Sequence, residues 1–392
     1  SEADSIAAIY LDTAMTLNDQ LAEAYTLKGA ILPSDQEEEI EAAFLKAIEL
    51  NPNYERAYHW YAVNTNNLEK RDSLISLALN INPLSPVLLI NKANYTRYYD
   101  KDYNEAKRLY EKIISIEPKY EQAYERLASL LRHEYGMLDS AAIYNYKGVQ
   151  ALGTFVMRED YIETLTELGL FEEALEELNA YDLTNPQHAI SAKFAEATIA
   201  ERSGDFGSLE PRLREFAQLM ISIGNTAVSE ELILAQYAYI KRDYETFLQY
   251  NQQYRPELLD TKKEQKIDFT ITDPFLVIHT LLELERNDEA EALLEHYAYL
   301  PDSIQTTMGL YDDWNEIFEV FYTILNGDHE QAIDLLEASI EKKHYIPIIR
   351  FKDHPILDLL REQPRFMAVA NEIESIQKEQ AQNFRNYLRG PD

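Results

Sequence analysis

The chain has no cysteine. That excludes disulfides, thiolate zinc sites and cysteine nucleophiles, and is compatible with an oxidising or a reducing compartment. Glycine is scarce, at 11 of 392 residues, which favours long helices over strands and turns. No apolar run approaches the ~20 residues that cross a bilayer, so no membrane insertion by this segment is expected. Ser1-Glu2-Ala3 has no Met and no basic-then-apolar leader, and reads as the start of a soluble piece of something longer. Gly-x-Ser-x-Gly, Walker-type loops and His-Glu-x-x-His are missing. His296, His329, His344 and His354 fall at no ligating interval. Asp205-Phe206-Gly207 stands without the phosphate loop or catalytic loop of a kinase, and reads as a turn with one packing aromatic. Catalysis needs a convergent constellation and none is present, so the chain is read as no enzyme, with no cofactor and no metal. Positive charge is scarce too: 36 Lys and Arg against 69 Asp and Glu give a net charge of -33. Such a surface repels phosphate backbones and anionic lipid, which disfavours direct nucleic-acid binding.

What the chain has is apolar and aromatic residues at helical spacing. Hydrophobic residues make up 46%, with 28 Tyr and 14 Phe, ample for burial. From Asn82-Pro83, Ile90 and Ala93 share a helical face, and Asp100-Lys101-Asp102 breaks the pattern. Ala106, Tyr110 and Ile113 then share a second face, which Pro118 closes. Small residues suit close helix approach, and large ones fill the space before the next unit. Ala43, Phe44, Ala47 and Pro52 repeat the arrangement. Pro52 to Pro83 is 31 residues and Pro83 to Pro118 is 35, bracketing the 34 of tetratricopeptide units. The short first interval suggests a tightened turn near Asn66-Asn67. The expected fold is all-α, a tetratricopeptide-repeat right-handed superhelical solenoid of antiparallel helix pairs.

In order, helices are expected at Ile6 to Leu17 and Ala22 to Ile31, then beyond Pro33-Ser34-Asp35, where Ser34 or Asp35 could cap. Residues 1–204 read as an N-terminal repeat array. Leu168 through Leu175 is its clearest turn, and Asn185-Pro186 closes the helix that follows. Residues 205–272 read as degenerate repeats and connection, interrupted at Gly204 to Gly207 and at Pro211, with Arg255 to Thr272 a polar linker. Residues 273–392 read as further repeats and capping helices, ending in the polar helix Asn371 to Gln382, for which a water-facing cap is the simplest role.

The segments Asn51-Pro52-Asn53-Tyr54-Glu55-Arg56-Ala57-Tyr58-His59-Trp60-Tyr61-Ala62 and Ile81 to Pro86 resemble the C-terminal repeat region of bacterial membrane-anchored winged-helix regulators related to CadC and ToxR. Pro364-Arg365-Phe366 resembles that family's closing motif, and similar repeats follow class III adenylate cyclase domains. The resemblance implies a sensory, protein- or peptide-binding module of a signalling protein or transcriptional regulator, possible homodimerisation, and a periplasmic location if CadC-like, otherwise cytoplasmic. The alternatives are a stand-alone scaffold or a cyclase's regulatory lobe. In stacked repeats the first helices line the concave face. Their outward positions here are Arg56, His59 and Trp60; Asn91, Lys92, Tyr95 and Tyr98; and Arg126, Arg132 and His133. Each aromatic could equally be packing between repeats. Together the set is basic and aromatic, the composition of binding hot spots, and suits an acidic peptide or a carboxylate-bearing ligand. The two-carboxylate clamp of chaperone-binding repeat proteins is not reproduced, since His59, Val63 and Gln122 stand at its positions.

Overall fold

The computed structural model describes residues 2–225, 229–261, 273–298 and 312–390. All its α-helices and short 3-10 turns succeed one another without a strand among the described residues. Contacts divide the chain into two compact units, Ser1–Leu127 and Ala128–Asp392. The first holds α1 (Glu2–Leu17), α2 (Ala22–Ile31), α3 (Glu37–Leu50), α4 (Glu55–Asn64), α5 (Leu68–Ile81), α6 (Pro86–Tyr98), α7 (Tyr103–Ile116) and most of the first two turns of α8 (Glu121–His133). α2 pairs with α3, α4 with α5 and α6 with α7 as antiparallel hairpins. This is the tetratricopeptide type of fold.

The hairpins close on alanine and glycine. Ala47, Ala57, Ala78, Ala93 and Ala106 are fully buried. A Cβ at Gly29 would stand 2.8 Å from the Phe44 ring, so α2 and α3 can approach only with glycine there. Phe44 stacks on Tyr61 at 5.4 Å, joining one hairpin to the next. The linkers repeat as well. Tyr58 donates to the Pro52 carbonyl at 3.0 Å and Tyr124 to the Pro118 carbonyl at 3.1 Å, the same offset of six residues in each case. The second helices α5 and α7 begin on a side-chain acceptor: Asn67 takes the Lys70 amide and Asp102 the Glu105 amide. The short 31-residue interval has a cause other than a tightened turn. α4 has 10 residues where α6 has 13, so most of the shortening is in the helix. α3, in turn, starts after Gln36 without a side-chain cap; neither Ser34 nor Asp35 serves.

The second unit continues with α9 (Leu138–Leu152), α10 (Phe155–Glu167), α11 (Phe171–Leu178), α12 (Pro186–Arg202), α13 (Phe206–Ser222), α14 (Glu230–Ile240), α15 (Tyr244–Tyr254), α16 (Asp273–Glu283) and α17 (Asn287–His296). Helices Asp312–Leu325, His329–Glu341, Ile346–Phe351 and Pro364–Arg389 follow. Asn185-Pro186 opens a helix rather than closing one. Asn185 accepts from the Gln187 amide, and Pro186 occupies the first turn, where its missing N–H costs nothing. Likewise Gly204 to Pro211 does not interrupt: Asp205 caps the Ser208 amide and α13 runs through Pro211. Of the polar linker read at Arg255 to Thr272, residues 262–272 lie outside the described residues.

The tail helix is longer than its reading and has a buried face the reading did not include. Helix Pro364–Arg389 buries Phe366, Val369, Ile373, Gln377, Ala381 and Phe384, spaced three and four apart on one face. That face packs on α9 and on His329–Glu341. Gln377 donates to the Glu167 carbonyl at 2.6 Å, Gln380 to the Gly136 carbonyl at 2.8 Å and Asn383 to Asp139 at 3.1 Å. Six buried positions among twenty others, most of them polar, made the helix look water-facing. Its opposite face stays exposed to water, as a cap requires, while the buried face braces the helices beneath it.

Two histidines in this unit are held neutral. Tyr239 and His279, both buried, share a 2.9 Å hydrogen bond. His354 stacks on Phe321 at 4.8 Å, and its Nδ1 accepts from the Ile356 amide. Burial lowers both. The neighbouring Asp358 opposes this and Arg242 reinforces it, leaving His279 at about 4 and His354 at about 3. An unfolded histidine titrates near 6.5. As pH falls below that value the unfolded chain takes up protons first, so stability present above pH 6.5 is lost progressively toward pH 4 to 3. His279 alone should cost about 2 kcal/mol by pH 5. Urea denaturation at pH 7 and pH 5 should show this loss in the wild type and a shallower one in His279→Gln, whatever the variant's absolute stability.

Candidate functional site

In the first unit, Arg56, Trp60 and Val63 lie four and three residues apart on α4, so they form one stripe. All three are exposed, Trp60 by 42% and Val63 by 49%. His59 is half-buried beside Trp60, ring to ring at 5.8 Å. On α6, Asn91 bonds its own helix at the Val87 carbonyl. Lys92 pairs with Asp72 of α5 at 2.6 Å and lies over the Tyr95 ring at 5.6 Å. Tyr95 packs against Tyr99, and Tyr98 under the guanidinium of buried Arg97. Arg126 on α8 is exposed. The first helices therefore keep an uncovered side, aromatic and basic on α4 and α8. On α6 the aromatics and Lys92 are engaged with neighbours.

Arg132 and His133 belong to the second unit. Arg132 lies in a charge cluster built on α10. Glu163 and Glu167 stand one helical turn apart and face the same way. Arg350, from Ile346–Phe351, reaches both at 2.5 Å. Arg132 reaches Glu163 at 3.0 Å and Glu167 at 3.6 Å, and its Nε donates to His133 at 3.2 Å. The Glu167 side chain is fully buried and Arg350 is 11% exposed. Burial alone would raise the Glu163 carboxyl; the Arg132 and Arg350 charges outweigh it and hold Glu163 well below the usual carboxylate range. The same pairing raises Arg132 against the opposing effect of burial.

This cluster borders a cavity of about 630 Å³ between α10, α12 and the segment Ile349 to Pro355. Its apolar wall includes Phe194, which is 59% exposed, Phe206 and Ile240. Glu201 also lines it; its side chain is exposed to solvent, yet the surrounding protein raises its carboxyl by desolvation. A second cavity of about 420 Å³ adjoins the first, sharing Thr166, Arg202, Ile349 and Lys352. Among the described residues no group of His, Asp and Glu could hold a metal ion. Sequence reading missed Glu163, Glu167 and Arg350. The one available signal was an arginine set in the apolar run Ile348-Ile349-Arg350-Phe351.

No protein-family model and no curated protein sequence matches the chain. Solved structures do. One is YrrB, a TPR protein with an unusual peptide-binding site: 19% identity over 54% of this chain and 98% of that one, TM-score 0.33. Another is a human IFIT1 dimer with PPP-AAAA: 15% identity over 85% of this chain and 78% of that one, TM-score 0.35. Likeness at this level carries no information about a ligand.

Removing Arg350 would strand Glu167 as a buried carboxylate with only the longer Arg132 contact. Arg350→Met should destabilise the protein by about 3–5 kcal/mol, and Glu167→Gln in the same chain should recover part of that. Chemical denaturation of both variants measures it; a loss under about 1 kcal/mol for the single variant would show the cluster to be dispensable.

Proposed function

We propose that the chain is a non-catalytic repeat scaffold that captures a protein or peptide segment on the uncovered side of its first helices. The supporting observation is the α4 stripe, where Arg56, Trp60 and Val63 stay exposed although every neighbouring helix had the opportunity to cover them. An aromatic and an arginine on a rigid helix are the residues that anchor interfaces. Lys92 and Arg126 add positive charge in a chain of net charge -33, so an acidic segment is the favoured partner. The resemblance to winged-helix regulators extends this reading to a sensory module coupled to an effector, where the ligand must prefer one conformation of the repeats to transmit anything. Without an effector the same surface serves a scaffold.

On arrays of immobilised 15-residue peptides, the wild type should retain acidic, aromatic-containing sequences over basic ones. Trp60→Ala and the double variant Lys92→Ala/Arg126→Ala should each weaken retention by about tenfold or more, with melting temperature little changed because these side chains are exposed or only partly buried. Unaltered retention in both would remove the α4–α8 face from consideration.

A further inference from the structure

We propose that the second unit holds a separate small-molecule site, and that its ligand is an organic acid: a hydrocarbon or aromatic body in the larger cavity and one carboxylate at the junction of the two, on Arg202 and Lys352.

The charge balance of the smaller cavity is opposite to that of the chain. Arg202, Lys352, Lys378 and Arg385 line it, against Glu374 alone. Two of these cations are already satisfied: Lys378 pairs with Glu374 at 2.5 Å and Arg385 with Glu173 at 2.6 Å. Arg202 and Lys352 are half-buried, and among the described residues no carboxylate comes within ion-pair distance of either. Nη1 of Arg202 is shielded from bulk water and has no hydrogen-bond acceptor. A guanidinium in that position is costly unless an anion completes it. Burial lowers the Arg202 pKa and the nearby Arg350 charge adds to the effect, while Glu167, Glu163 and Glu201 oppose it without cancelling it. Arg202 and Lys352 are also two of the four residues common to both cavities. An anion held there can extend its other end toward Phe194, Phe206 and Ile240. Volumes of about 630 and 420 Å³ are those of small-molecule sites; the larger cavity also carries Glu159, Asp160, Glu163, Glu201 and Asp353 on its walls, so a carboxylate is favoured only at the Arg202–Lys352 junction and the uncharged body belongs against the aromatics.

The probes are 3-phenylpropionate and its neutral isostere 3-phenylpropionamide, titrated calorimetrically into the full chain at low salt. The acid should bind about tenfold more tightly than the amide. Arg202→Gln/Lys352→Gln should abolish that difference, and Lys352→Gln alone should reduce it. Lys378→Gln should leave it intact, since that lysine is exposed and already paired. Phe194→Ala should weaken both probes equally. Equal binding of acid and amide, no binding of either, or a preference that survives the double variant would each overturn the site. Inorganic phosphate binding as tightly as the acid would overturn the coupling of the two cavities. None of these outcomes bears on the peptide-binding face of the first unit, whose variants lie elsewhere.

Discussion

A two-helix hairpin cannot cover its own outer flank, and every later feature of this protein follows from that constraint. Ala47, Ala57, Ala78, Ala93 and Ala106 are small so that backbones approach, while Phe44, Tyr61 and Tyr110 reach across into the neighbouring element. Each such side chain removes apolar area from water only if a second element is present, at about 25 cal/mol per Å². Hairpin therefore follows hairpin. The linkers are tied to the same geometry, since Tyr58 and Tyr124 can reach Pro52 and Pro118 only when the following helix starts at the same place each time.

Much of this was legible in the order of residues, because local rules act over short distances. Alanine and tyrosine at three- and four-residue spacing, Pro just beyond, and Asn or Asp ahead of second helices are all read within one hairpin, and α2 begins and ends where periodicity places it. What was illegible depends on partners far along the chain. Glu163 and Glu167 look like a solvated acidic edge until Arg350 arrives from 183 residues away to meet Glu167. The apolar seam of helix Pro364–Arg389 is diluted by glutamine and asparagine, and those same amides form its contacts to Glu167, Gly136 and Asp139. Asn185-Pro186 and Pro211 were misread for a different reason. Pro186 lies in a first turn, where proline costs nothing, and only the capping bond shows which side of it the helix lies on; Pro211 lies inside α13, which continues although proline forfeits one backbone bond there.

Electrostatics sorts the surface from the interior. Acidic excess is spread over exposed helix faces, such as Glu37, Glu38 and Glu39 at the start of α3, where it suits the helix dipole and keeps the chain soluble. Arginine is concentrated inside the second unit, at Arg132, Arg202 and Arg350. A planar, permanently charged fork can satisfy two carboxylates at once in a fixed geometry, as Arg350 does. One unpartnered guanidinium among three is then a conspicuous departure.

The brace formed by the last helix changes how the second unit must fold. An open row of hairpins interacts only with nearest neighbours and can fray from either end. Here Gln380 and Asn383 meet Gly136 and Asp139 across 244 residues of sequence. Closing a span of that length delays assembly until both partners exist, so during synthesis α9 and α10 emerge with their inner faces bare until residues 364–389 have been made to complete them.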